Sequence, residues 1–83
     1  MITFTKEAWE HYAYRQGVDR KIVERINMLI KDSLRDPFNG IGKPEPLRGS
    51  LSGFWSRRIN DEHRLVYQYR EDELIIISCR FHY

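Results

Sequence analysis

The spacing of apolar residues changes period partway along this chain. Met1-Ile2-Thr3-Phe4 is short and apolar enough for a first strand, and Thr5 then reads as the N-cap of a helix over Lys6 to Gln16. Gly17 can end that helix in a left-handed conformation. A second helix follows Asp19, because Ile22, Val23, Ile26, Leu29 and Ile30 fall on one face at the helical period. Asp36-Pro37 stops it, since the residue before a proline is pushed out of helical geometry. The two helices should form an antiparallel hairpin.

Residues 38–53 are rich in Gly, Pro, Asn and Ser and read as a structured loop anchored by Phe38, Ile41 and Leu47. The period then falls to two. Strands are expected near 54–59, 63–69 and 74–82, with turns at Asn60-Asp61 and at Arg70-Glu71-Asp72-Glu73. The expected fold is α+β: one domain over 1–83, with the helix hairpin packed on a single, mainly antiparallel sheet of about four strands.

Alternation assigns faces. Ile75, Ile77, Cys79 and Phe81 share one side of the last strand, expected to cover the helices, which leaves Leu74, Ile76, Ser78, Arg80 and His82 on the other. In the strand before it, Leu65, Tyr67 and Tyr69 match the core side and Arg64, Val66 and Gln68 oppose them. Arg64 and His82 are thus expected on the sheet face away from the helices.

Composition limits what that face can do. A chain of 83 residues has room for one small core, so a site must be a surface groove. The net charge of +2 permits an anionic partner without demanding one, and tight autonomous nucleic-acid binding usually carries a stronger basic footprint. Cys79 is the only cysteine, which excludes an intramolecular disulfide or a thiolate zinc site; on an apolar strand it reads as a small buried hydrophobe. Charges occur throughout residues 1–25, so neither a signal peptide nor a membrane span is expected, and the cytosol is the default compartment.

A carboxylate between two prolines (Lys43-Pro44-Glu45-Pro46), an arginine-bearing hairpin and a terminal Phe81-His82-Tyr83 are the parts of a metal-independent RNA-cleaving site. Such cleavage needs a base for the 2′-hydroxyl, cations for the charge of the phosphorane and an acid for the departing 5′-oxygen. Glu45 suits the base, its backbone fixed by both prolines. His82 suits the acid, because an imidazole gives up a proton at little cost near neutral pH. Arg58 and Arg64 suit the middle role, since a planar fork matches two phosphate oxygens. Lys43 and Arg48 are placed on flanking phosphates. The same residues also fit a rigid connector and a solvated hairpin, and Arg57 in particular reads as solvated. His11, His63 and Trp9 read as structural, and Trp55 reads as core or interface packing before base stacking.

These residues together resemble a known family. Gly42-Lys43-Pro44-Glu45-Pro46-Leu47, Leu51-Ser52-Gly53-Phe54-Trp55-Ser56-Arg57-Arg58-Ile59, His63-Arg64-Leu65-Val66-Tyr67 and His82-Tyr83 closely resemble the YoeB toxins of the RelE/ParE superfamily, and the similarity runs nearly end to end. The resemblance implies a RelE-like fold and the toxin of a type II toxin–antitoxin pair. It implies a ribosome-dependent endoribonuclease that cuts mRNA in the A site, leaves a 2′,3′-cyclic phosphate and a 5′-hydroxyl, inhibits translation, and needs no cofactor or metal. It places the general base on Glu45, the general acid on His82, the phosphate-stabilising cations on Arg58 and Arg64, the terminal tyrosine on Tyr83 and an accessory cation on Arg48. The implied partners are a YefM-type antitoxin, the ribosome with its mRNA, and operator DNA only through the antitoxin complex; a homodimer is allowed and no membrane is involved. Two alternatives remain: a ParE-like toxin that is not a nuclease, and a non-catalytic interaction module of the same fold.

Overall fold

In the computed structural model, which describes residues 1–80, chain order is β1 (Ile2–Phe4), α1 (Lys6–Gln16), α2 (Arg20–Arg35), β2 (Glu45–Pro46), a 3₁₀ turn (Gly49–Leu51), β3 (Trp55–Arg58), β4 (Arg64–Arg70) and β5 (Glu73–Ser78). Phe81, His82 and Tyr83 lie outside the described residues, so the expected extension of the last strand through them and the faces assigned to them lie outside as well.

The helix ends follow their local signals. Thr5 and Asp19 cap by accepting the backbone N–H of Ala8 and Ile22, and Asp36 closes α2 before Pro37. Gly17 ends α1 with φ −98, in the right-handed region and not the left-handed one expected of it. Tyr12 Oη donates to Asn27 Oδ1 and ties the two helices together. No helix among the described residues is long and apolar enough to cross a membrane.

Five strands form one sheet in the order β1-β5-β4-β3-β2. β1 runs parallel to β5 and every other pairing is antiparallel. The strand beyond the expected four is β2, two residues long, which contains Glu45. The β4–β5 turn places Glu71 and Asp72 at φ 52 and 62, as a two-residue hairpin with the native strand twist requires.

One side of the sheet packs on the helices. Ala8, Ile26, Leu29 and Ile30 meet Leu65, Tyr67, Leu74, Ile76 and Cys79 in one buried cluster. The side assigned to β5 by alternation is therefore reversed over its first half: Leu74 and Ile76 are buried, and Ile75 and Ile77 only partly so. The physical reason is a bulge. Tyr67 pairs with Ile76 but Val66 pairs with Ser78, so Ile77 is an extra residue, and beyond it the parity shifts by one. Cys79 is thereby buried as expected, and burial pushes its thiol up to about 11.

Candidate active site

The site begins with a knot behind β3. Arg57 shares a parity with Trp55 and Ile59, and cross-strand pairing with Leu65 turns it toward the core. It is fully buried, not solvated as the sequence reading had it. All five guanidinium protons have acceptors: Nε donates to Tyr67 Oη (3.0 Å), Nη1 to Asp32 Oδ2 (2.7 Å) and Ile41 O (3.1 Å), and Nη2 to Asp36 O (2.6 Å) and Asn39 O (3.1 Å). Tyr67 Oη in turn donates to Pro37 O at 2.6 Å. Asp32 also accepts from Ile41 N at 2.9 Å and from Arg35 Nε at 2.9 Å. These bonds, with Arg35 first, hold its carboxyl well below the usual carboxylate range.

This knot gathers the whole loop that leaves α2. Ile41, 38% exposed, anchors it through its backbone, and Phe38, 43% exposed, packs its ring 4.9 Å from Trp55. Gly42 takes φ 79, where a Cβ would stand 2.7 Å from Leu29 and 3.2 Å from Arg57, and its carbonyl accepts Arg58 N at 2.6 Å. Lys43 follows at φ 52, a left-handed conformation unusual for a side-chain-bearing residue. The chain then reaches Glu45 already docked on β3.

Register sets what Glu45 faces. Glu45 pairs with Ser56 and Ser56 with Val66, while Arg58 pairs with Arg64 in the next same-side row. Glu45, Ser56, Val66, Arg58 and Arg64 thus share one face, opposite the side of Trp55, Arg57, Leu65 and Tyr67. Strand spacing of about 4.8 Å and a rise of about 3.4 Å per residue put the Cα of Glu45 about 8 Å from that of Arg58 and about 12 Å from that of Arg64. Side chains of that length can meet on one phosphodiester between them.

Both arginines are steadied without being consumed. Arg58 is exposed, and its carbonyl accepts Arg25 Nη2 from α2 at 3.1 Å. Arg64 donates through Nη1 to Asn60 O (2.6 Å) and His63 O (3.1 Å); among the described residues its Nε and Nη2 carry no hydrogen bond. Exposed Lys43 sits on the backbone next to the Gly42–Arg58 contact, at the cationic end of the row. Arg48 is exposed at the start of the 3₁₀ turn, in a small loop closed by Leu47 N to Phe54 O at 2.9 Å. His82 and Tyr83 lie outside the described residues. Two clefts of about 500 and 420 Å³ run along α2, and neither is lined by Glu45, Arg58 or Arg64.

The sequence reading missed Arg57 and Asp32, which hold the loop that carries Glu45. One signal was available: Arg57 sits between Trp55 and Ile59 at strand period, a position that points inward. Trp55 stacks inside the protein, as expected. His63 is buried, with Nε2 2.9 Å from Arg15 Nη2, and burial followed by Arg15 lowers its pKa.

Comparison with known proteins adds an independent line. Residues 4–83 match the family model described as YoeB-like toxin of bacterial type II toxin-antitoxin system. Toxin YoeB of Synechocystis is 61% identical over 82 residues, covering 99% of this chain and 95% of its own. The YoeB–YefM complex from Staphylococcus aureus contains a chain 48% identical with a TM-score of 0.94, covering 100% of this chain and 97% of that one. The YoeB dimer from the same organism aligns with a TM-score of 0.93 at 49% identity, covering 99% and 95%.

Proposed function

The chain belongs to the YoeB-like toxins of bacterial type II toxin–antitoxin systems, and from that premise we propose that it is a ribosome-dependent endoribonuclease that cuts mRNA in the A site. The observation that carries this reading is the shared face of Glu45, Arg58 and Arg64, with the carboxylate on one strand and two guanidiniums on the next two.

Glu45 takes the proton of the 2′-hydroxyl, and the oxygen attacks the adjacent phosphorus. Arg58 and Arg64 hold the non-bridging oxygens as charge accumulates, and are worth most in the transition state. His82 gives its proton to the departing 5′-oxygen, leaving a 2′,3′-cyclic phosphate and a 5′-hydroxyl. Lys43, Arg48 and Tyr83 contact the flanking RNA. A ribosome that presents an unstacked codon accounts for a net charge this small. A YefM-type antitoxin is the proposed inhibitor, with operator binding only through that complex, and self-association is the proposed state of the free toxin; the Staphylococcus aureus complex and dimer support both. Cytosolic action follows from the proposed substrate.

Primer extension on translated mRNA after induction of this chain tests the reading. Cuts within codons that depend on translation and on Glu45 are expected. A 2′-deoxy substitution at the scissile nucleotide should abolish cleavage. Products with a 3′-hydroxyl and a 5′-phosphate would exclude the mechanism.

A further inference from the structure

One stripe of α1 grips the exit of β5. Thr5, Ala8 and His11 recur every three residues, which stacks them on one side of the helix. Thr5 Oγ1 donates to Ile77 O at 3.2 Å and Cys79 Sγ to Ala8 O at 3.5 Å. Cys79 N donates to His11 Nδ1 at 3.3 Å, and Ser78 Oγ lies 3.5 Å from the same nitrogen. Among the described residues, pairing of β5 with β4 ends at Ser78, just beyond the bulge, so the next backbone N–H needs an acceptor from elsewhere. His11 supplies it.

That role requires a neutral ring. With Nδ1 accepting, its proton lies on Nε2, the nitrogen 3.9 Å from Glu7 Oε1. Burial lowers the pKa of His11 and favours this form; Glu7 and Glu10 oppose it, while Arg80 and Arg15 reinforce it. From the hairpin after β3, His63 faces the same group, with Glu62 Oε1 3.2 Å from its Nε2. Protonating His11 would set an N–H against the N–H of Cys79.

We propose that His11 is a positioning residue for the cleavage reaction: its neutral ring anchors the backbone at Cys79, three residues before His82, and so fixes where the chain leaves the sheet. The inference rests on the reading of His82 as the acid.

The test compares His11→Leu, which removes the acceptor, with His11→Asn, whose amide oxygen can stand where Nδ1 stands and cannot titrate. Two readouts are taken on the full chain: amide exchange at Cys79, and single-turnover mRNA cleavage on programmed ribosomes. His11→Leu should exchange Cys79 about tenfold faster and cleave about 10- to 100-fold more slowly, the range for a small misplacement of a reacting group. His11→Asn should restore both. Wild type should lose Cys79 protection as pH falls below the ordinary imidazole value of about 6.5, after correction for intrinsic exchange, and His11→Asn should not. Cleavage by His11→Leu within about twofold of wild type, or equal loss of protection in wild type and His11→Asn, overturns the proposal. If His11→Leu does not fold, the pH comparison decides alone. Wild-type cleavage by Glu45→Gln would instead defeat the acid–base reading and leave Cys79 exchange unchanged, so the two failures are distinguishable.

Discussion

Arg57 and Arg58 are neighbours in β3 and face opposite worlds. Arg57 is sealed against α2 with five acceptors around its guanidinium, whereas Arg58 stands exposed beside Arg64 on the other side of the sheet. Chemistry does not separate them; parity does. The buried arginine organises a loop, and the loop delivers Glu45 to the face where the second arginine waits. One strand of four residues therefore carries both the scaffold and the candidate site.

The widest separation should come from a pair of variants. Arg57→Ala should cost about 3–5 kcal/mol, because it empties a fully buried position and takes a donor at once from Asp32, from the Tyr67 hydroxyl and from three partly buried carbonyls. That is a large part of the stability of any small domain, and urea unfolding followed by circular dichroism would read it. Glu45→Gln should leave the unfolding midpoint in place and slow cleavage by about two to four orders of magnitude. Equal shifts in stability for the two would erase the distinction.

Arg64→Ala comes next. Single-turnover cleavage should fall by about 10²–10³, with ribosome affinity much less affected, because its charge is needed as the phosphorane forms. A fall in affinity alone would make Arg64 a docking residue.

Gly42→Ala probes the link between the two regions. Its Cβ would press on Leu29 and Arg57 at a left-handed φ, so a loss of about 1–3 kcal/mol is expected. Folded Gly42→Ala at low temperature should also cleave more slowly, because Lys43 and Glu45 follow directly. Full activity in the folded variant would uncouple the knot from the site.

The smallest effect isolates burial. Asp32 binds both Arg57, which is buried, and Arg35, whose side chain is 62% exposed. Although the Arg35 hydrogen bond is the first cause of the lowered pKa of Asp32, Arg35→Ala should shift the unfolding midpoint least of these variants, because an exposed pair is screened and flexible. The sign of the acid response follows from the same carboxyl. Its folded pKa lies below its unfolded value, so its contribution is fully present above about pH 4 and is lost as pH falls toward the folded value. Acid titrations of wild type, Arg35→Ala and Asp32→Asn should show the smallest pH dependence in Asp32→Asn. Identical profiles in all three would remove Asp32 from the knot.

What the sequence disclosed follows the range of each interaction. Thr5, Asp19 and Asp36-Pro37 marked the helix ends because a cap is settled within three or four residues. The Arg70–Glu73 turn was legible for the same reason. The face of β5 was not, because Ile77 becomes an extra residue only once β4 is in place beside it. β2 escaped because two residues between turns leave no period to read. In the candidate site, residue type alone singled out Glu45, Arg58 and Arg64, and strand register is what puts the three on one face. Arg57 was misplaced because its charge outweighed its parity; its acceptors, Asp32, Ile41, Asp36, Asn39 and Tyr67, are scattered over 36 positions and only the fold collects them.

The parallel pairing of β1 with β5 has a consequence in time. Ile2, Thr3 and Phe4 are made 72 residues ahead of their partners, Leu74, Ile75 and Ile76. Thr5 and Ala8 likewise wait for Ile77 and Cys79. Synthesis delivers those partners seconds after the first strand, and contacts this distant in sequence form late and slowly. The sheet therefore cannot close before β5 is made, and a product stalled before residue 73 lacks the strand that pairs with both β1 and β4. A protein read as an attacker of translation is, by its topology, unfinished until its own β5 has been translated.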